Sequence, residues 1–199
     1  MSKDEEGFKK LIDKAKERIA KTSVGASTVR GQTKGTVAEA RKYLIKNINL
    51  EDFVNPDNFQ NMLDKHTEIL FEKLKNLYES AEKNKKRNPP SWGLARKVLN
   101  IFLFEAAHNT ILNRKYNLEE KIIPYLEVPL DYKNAERLKK HASDEDIELR
   151  WTNIKSLNDE SSIQEYAKFQ EYAKKCALRE EYNCKHRCYL ELYWFRRDE

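Results

Sequence analysis

Glycine, proline and cysteine are all scarce in this chain of 199 residues. It contains five glycines, five prolines and three cysteines. So few turn-forming residues argue against a β-rich fold with many tight turns and favour helices. The strict alternation of apolar and polar residues that is typical of strands is also absent. The sequence therefore predicts an all-α fold.

Long apolar runs and a secretory leader pattern are missing as well. The three cysteines, Cys176, Cys184 and Cys188, cannot form an even-numbered disulfide framework. These absences predict a protein of the cytoplasm or nucleoid without membrane association. One histidine, His186, lies near the cysteines and leaves a zinc site open. Packing is the favoured interpretation, and neither a metal nor a cofactor is expected.

Positive charge is concentrated in one segment of the chain. The formal net charge is +5, and the pI is about 8.9. Residues 83–97 contain six basic side chains and no acidic one. Such a strip suits contacts with phosphate groups, and a solvated linker is the alternative. The six are Lys83, Lys85, Lys86, Arg87, Arg96 and Lys97.

Periodic apolar residues predict helices along most of the sequence. The segment at 94–113 is apolar on nearly every side, which is typical of the buried centre of a helical domain. A chain of this length fits one domain, or two small helical lobes that share an interface. The predicted helices cover residues 3–22, 37–48, 56–83, 94–113, 119–126, 132–141, 161–182 and 186–195.

A glycine-rich segment at residues 23–35 differs from the rest of the chain. It holds three of the five glycines, together with Arg30, Gln32 and Lys34. Because glycines allow a backbone to approach a ligand closely, the segment is a candidate binding loop. A plain connection between helices is the alternative.

Lys97 and Asp131 stand in distinctive local settings. Lys97 follows a proline-containing turn at the start of an apolar helix, and Asp131 ends the strip 128–131 directly before the next helix. The first turn of a helix is a positive environment that favours a neutral, nucleophilic amine. A carboxylate fixed before a helix can cap it and can also stabilise positive charge at an anomeric carbon. A surface lysine and a simple N-cap are the alternatives.

Two of these segments resemble parts of a known enzyme family. Residues 93–103 look like the hairpin and following helix of the helix-hairpin-helix DNA glycosylases, and residues 128–131 are similar to the segment that carries their essential aspartate. The interval between the two resembles the archaeal 8-oxoguanine glycosylase branch. Trp151 resembles the tryptophan that begins a helix in that branch, and residues 189–194 are similar to its terminal aromatic motif.

The resemblance implies a glycosylase-like fold for residues 1–199. Two helical lobes, roughly residues 1–85 and 86–199, would flank a cleft, with a helix-hairpin-helix element at 86–112. The implied protein is a monomer that flips a damaged or modified base out of double-stranded DNA, excises it, and cleaves the strand through a lysine Schiff base. A non-catalytic nucleic-acid-binding module on the same scaffold and a helical protein-interaction domain are the alternatives.

Individual roles follow from the same resemblance and from the basic strip. Lys97 would be the Schiff-base nucleophile, and Asp131 would assist its deprotonation and stabilise the sugar cation. The base pocket is expected to contain Gln32, Trp151, Glu191 and Trp194. The expected DNA contacts are Arg30, Lys85, Lys86, Arg87, Trp92, Gly93 and Arg96.

Overall fold

The computed structural model describes residues 3–25, 27–81, 87–150 and 159–194. Within these ranges the chain is helical and has no strand, which confirms the predicted all-α class. Short 3₁₀ turns lie at Leu50–Phe53, Ile123–Tyr125 and Arg187–Tyr189. The α-helices are α1 (Lys3–Ser23), α2 (Thr36–Asn47), α3 (Pro56–Ser80), α4 (Trp92–Ala107), α5 (Thr110–Tyr116), α6 (Leu118–Ile122), α7 (Tyr132–Ser143), α8 (Glu160–Ala177) and α9 (Leu190–Trp194).

Short polar side chains begin the long helices. The Asn55 side chain accepts a hydrogen bond at the start of α3. Pro56 occupies the first turn of this helix, where the N–H group that proline lacks would have no partner within the helix. Ser91 caps α4 in the same way. Asp159 and Ser162 form a reciprocal capping box at the start of α8. These caps satisfy N–H groups that have no partner within the helix.

The predicted helix at 94–113 is in fact two helices. The first, α4, ends at Ala107, and Asn109 then accepts hydrogen bonds from the backbone N–H groups of Ile111 and Leu112. Asparagine side chains compete for backbone donors in this way and start a new helix where an apolar pattern would continue the old one. The single-helix prediction was wrong for this reason.

Apolar side chains form two core clusters that meet along α4. The first contains residues of α1 to α6 and most of the buried apolar side chains of α4. The second contains Trp92, Val128 and Leu130, and residues of α7, α8 and α9. This division does not coincide with the predicted lobe boundary near residue 85, because α4 belongs mainly to the first cluster. The strip 126–131 passes between the two clusters and carries Asp131.

None of the helices in the described part of the chain is both long and apolar enough to cross a membrane. The largely buried α4 has 16 residues. A helix that spans a bilayer needs about 20.

Candidate active site

Lys97 lies in the second turn of α4. The helix begins at Trp92, so the expected position in the first turn was wrong by about one turn. The Ser91 side chain accepts a hydrogen bond from the Leu94 backbone N–H and fixes where the helix starts. The Lys97 side chain is only 15% exposed. It is therefore held among its neighbours and does not extend freely into solvent.

Polar side chains fix the strip that leads to Asp131. Gln170 both accepts a hydrogen bond from the Val128 backbone N–H and donates one to the Val128 carbonyl, at 3.1 and 2.8 Å. The Asn134 side chain donates to the Pro129 carbonyl at 2.8 Å. These bonds satisfy a buried extended backbone that has no sheet partner. They fix the backbone position from which the Asp131 side chain extends.

The amine and the carboxylate converge. Lys97 Nζ lies 3.6 Å from Asp131 Oδ2. Asp131 Oδ1 accepts a hydrogen bond from the Asn134 backbone N–H at 3.0 Å and so caps α7. One carboxylate thus performs the capping expected of it and also faces the lysine. Its side chain is 41% exposed, which makes the pair accessible from solvent.

A cavity of about 260 Å³ is related to this pair through Glu191; neither Lys97 nor Asp131 lines it. Its walls come from α4, from the strip before α7 and from the C-terminal turn and helix α9. Glu191 connects the cavity to the pair, because its carboxyl lies close enough to interact electrostatically with both Lys97 and Asp131. The lining residues are Asn100, Ile101, Phe104, Glu105, Glu127, Pro129, Cys188, Glu191 and Leu192.

Glu191 has the titration behaviour of a partly desolvated acid. Burial raises its pKa above the ordinary value for a glutamate. The positive charge of Lys97 opposes this rise, and the negative charge of Asp131 adds to it. The cavity therefore contains an acid whose proton affinity depends on the charge state of the neighbouring pair.

Arg96 does not point to solvent, so its predicted DNA contact is wrong. Its guanidinium is 1% exposed and forms a two-pronged ion pair with Glu127, at 2.7 and 2.8 Å. Asp64 and Thr67 accept further hydrogen bonds from it, at 2.5 and 3.3 Å. The reason is positional: α4 is buried on most sides, and the Arg96 side chain projects between the core clusters, where only acidic partners make burial tolerable.

Glu127 is the centre of this network. Its Oε2 atom also accepts hydrogen bonds from Asn100 Nδ2 and from the Tyr166 hydroxyl, both at 2.8 Å. Burial alone would raise the pKa of Glu127, but Arg96 and its hydrogen bonds hold that pKa below the ordinary value. The sequence alone did not predict a role for Glu127. The available signal was an acid flanked by apolar residues, opposite an arginine in an apolar helix.

Trp92 and Gly93 are buried as well. The Trp92 ring meets the Tyr166 ring edge-on at 5.6 Å, and the Arg96 guanidinium lies 5.2 Å from its centre. The tryptophan is thus part of the second core cluster. The expectation that these two residues contact DNA is not met, because core packing removes them from the surface.

Three of the four predicted base-pocket residues lie in the described ranges, and they do not share one site. Of these three, only Glu191 lines the cavity. Trp194 does not, because its ring is buried between Tyr182 and His141, with centroid distances of 5.9 and 6.5 Å. Gln32 lines a different hollow, together with Arg30 and Arg87. Trp151 lies outside the described residues, as do Lys85 and Lys86.

The cysteines are free thiols that belong to the packing. Cys176 and Cys188 are buried, and Cys184 is partly exposed. Burial raises the pKa of the Cys188 thiol to about 12, so it stays protonated at neutral pH. In the described ranges no group of three or more histidine, cysteine, aspartate or glutamate side chains is arranged to hold a metal ion.

Comparison of the chain with protein-family models, curated proteins and solved structures gave no match. The geometry around Lys97 and Asp131 therefore has to support any functional assignment by itself.

Proposed function

We propose that this protein is a DNA N-glycosylase that excises a damaged or modified base and cleaves the abasic site through a lysine Schiff base. The observation that carries the proposal is the 3.6 Å approach of the Lys97 amine to the Asp131 carboxylate, beside a cavity that contains Glu191. An amine, a carboxylate and a recess for an extruded base are what this reaction requires.

The chemistry follows from the positions of the two groups. Asp131 accepts a proton from the Lys97 ammonium, and the free amine attacks C1′ of the sugar. The C1′–N bond breaks and its electron pair leaves with the base. The proton that Asp131 received passes to the departing base, which restores the carboxylate. The Asp131 carboxylate stabilises the positive charge that develops at C1′ during this step. Ring opening gives an imine, loss of a C2′ proton expels the 3′-phosphate, and water then releases the lysine.

The cavity supports recognition of an extruded base. Ile101, Phe104 and Leu192 supply apolar surface for the faces of a ring, while Glu191 supplies a polar group for its edge. An ionised Glu191 accepts hydrogen bonds, and a protonated one can donate. Burial raises the pKa of Glu191 and so favours the protonated form relative to an ordinary glutamate.

DNA binding in this proposal depends on the exposed cations. Arg30 and Arg87 are exposed, line one hollow, and remain the described candidates for phosphate contacts. Lys85 and Lys86 stay candidates from the sequence alone. Each phosphate contact makes the affinity for double-stranded DNA fall as salt concentration rises.

The test is base release measured by mass spectrometry on genomic and phage DNAs, combined with borohydride trapping of a covalent adduct. Wild-type protein should release a base and form the adduct. Lys97→Ala should form no adduct. Asp131→Asn should release the base at least about a hundredfold more slowly, because it removes the charge that assists the transition state.

A matched control separates chemistry from folding. Asparagine is also a good N-cap, so Asp131→Asn should leave α7 intact. Asp159→Asn makes the same change at the cap of α8 and should leave base release at the wild-type rate. Salt-dependent DNA binding without any base release would favour the non-catalytic module. Absence of DNA binding at low salt would favour the protein-interaction domain.

A further inference from the structure

A second concave site lies in the glycine-rich loop, and we call it the loop hollow. It has a volume of about 450 Å³ and is lined by residues 27 and 29–35, by Val37 and by Arg87. It shares no lining residue with the cavity beside Lys97. A volume of this size lies in the range of sites that bind small molecules.

The charged residues of the loop hollow are all cations. They are Arg30, Lys34 and Arg87, and no acidic residue lines the site. Within the described ranges none of the three is part of an ion pair. Three cations gathered around a recess without a counter-charge create a positive potential that attracts an anion.

Residues at the N-terminus of α2 line the same site. The helix has 12 residues and its N-cap is Gly35, so no side chain caps it; the Thr36 N–H donates to the Thr33 carbonyl. Both Gly35 and Val37 line the hollow. Gly31 and Gly35 adopt φ angles of 82° and 100°, which lets the backbone turn closely around the recess. Uncapped helix N-termini bind phosphate groups well, because N–H donors and the helix dipole both favour negative charge.

Two buried polar atoms in the lining have no hydrogen-bond partner. They are Gln32 Oε1 and Thr33 Oγ1. The two residues are only 8% and 6% exposed. A buried polar group without a partner costs stability, so a ligand group that pairs with these atoms would stabilise the loop. The Thr33 hydroxyl can donate to a phosphate oxygen, whereas Gln32 Oε1 needs an N–H or O–H donor from the rest of the ligand.

We propose that the loop hollow binds a nucleotide through its phosphate group. Arg30, Lys34, Arg87 and the start of α2 contact the phosphate, and Gln32 accepts a hydrogen bond from the adjoining sugar or base. The proposal involves neither Lys97 nor Asp131 and does not rest on the glycosylase assignment. The same chemistry is offered by a free mononucleotide and by a nucleotide unit within a strand.

The test is isothermal titration of the full chain at low salt with deoxyadenosine 5′-monophosphate, inorganic phosphate and deoxyadenosine. The monophosphate should bind best, inorganic phosphate more weakly, and deoxyadenosine not measurably. Arg30→Gln and Arg87→Gln should each weaken monophosphate binding about tenfold, because each removes a charge-assisted contact. Arg114→Gln removes an exposed arginine on α5 that does not line the hollow, and it should leave binding unchanged.

A nearly isosteric change tests the interior of the hollow. Gln32→Glu places a carboxylate among the three cations and should abolish binding of both phosphate and the monophosphate. Lys97→Ala should bind the monophosphate as the wild type does, whatever it does to base release. Failure of the glycosylase proposal is thereby distinguished from failure of this one.

A strand without terminal phosphates identifies the source of the ligand. If a single-stranded oligonucleotide of this kind displaces the monophosphate, the hollow accepts a phosphate within a strand. If it does not, the ligand is a free nucleotide. The proposal is overturned if the monophosphate fails to bind at millimolar concentration. It is also overturned if Arg30→Gln, Arg87→Gln and Gln32→Glu all bind like the wild type.

Discussion

Replacing Arg96 by leucine should lower the free energy of unfolding, because it removes the ion-pair partner of the buried Glu127 carboxylate. The guanidinium is 1% exposed and donates to Glu127, Asp64 and Thr67. In Arg96→Leu, Glu127 keeps the hydrogen bonds from Asn100 and Tyr166 to Oε2 but loses both contacts with the guanidinium. The variant therefore retains a buried carboxylate without its ion-pair partner, and Arg187 interacts with it only at longer range.

The expected loss in the free energy of unfolding is about 3–5 kcal/mol, the range for breaking one side of a buried ion pair. Desolvation of the remaining charge accounts for most of it. A second substitution, Glu127→Gln, removes that charge and should restore part of the loss. The double variant should accordingly be more stable than Arg96→Leu alone, a non-additive result that is expected for residues in direct contact.

The loss in the free energy of unfolding should depend on pH, and the direction of this dependence follows from the pKa of Glu127. In the wild type the pKa of Glu127 is held below its ordinary value, so this carboxylate stabilises the fold above the unfolded-state pKa, about 4.3, and ceases to do so as pH falls through the folded-state pKa. In Arg96→Leu burial dominates and raises the pKa of Glu127. The variant should then lose stability as pH rises, and its difference from wild type should be larger at pH 8 than at pH 5.

Urea denaturation followed by far-UV circular dichroism at the two pH values measures these differences. Arg150→Leu is the control, because Arg150 pairs with Glu148 on the surface and its removal should leave the unfolding midpoint unchanged. A loss below about 1 kcal/mol for Arg96→Leu, or an equal loss at pH 5 and pH 8, would refute the role assigned to the network.

Three further outcomes are expected. Asn109→Ala removes the cap of α5 and should lower the free energy of unfolding by about 1 kcal/mol in urea denaturation. Gly35→Ala should lower the free energy of unfolding by about 1–2 kcal/mol, because alanine is strained at a φ of 100°. Gly7→Ala in α1 meets open space and should raise it by about 0.5–1 kcal/mol. Native-state alkylation with iodoacetamide, followed by peptide mass spectrometry, should show that Cys184 reacts before Cys188. The Cys188 thiol is buried and has a pKa of about 12. The reverse order would contradict the packing.

Local signals in the sequence predicted the helices well where a cap and an apolar stripe agree. Pro56 at the start of α3 and Asp131 before α7 are examples, and both helices begin where expected. The prediction failed at Asn109, because the apolar pattern continues past the residue whose side chain starts a new helix. Periodicity reports burial, and it does not report competition for backbone donors.

The candidate site was predictable only in part. Spacing could not bring Lys97 and Asp131 together, and their approach was expected through the resemblance alone. Arg96 was assigned to the surface because it lies in a basic strip, although its neighbours Ala95 and Val98 are fully buried. Which acid would meet it depends on how distant segments pack, and a single sequence carries little information about that.

Asp131 divides its two oxygens between a helix and an amine, and this has a practical consequence. One carboxylate oxygen accepts a hydrogen bond from the Asn134 backbone N–H, and the other faces Lys97; the two oxygens belong to one rigid group. Protection of that amide from deuterium exchange therefore reports the alignment of the carboxylate in protein that has never met a substrate. Variants distant from the site can be screened for misalignment in this way before any reaction is attempted.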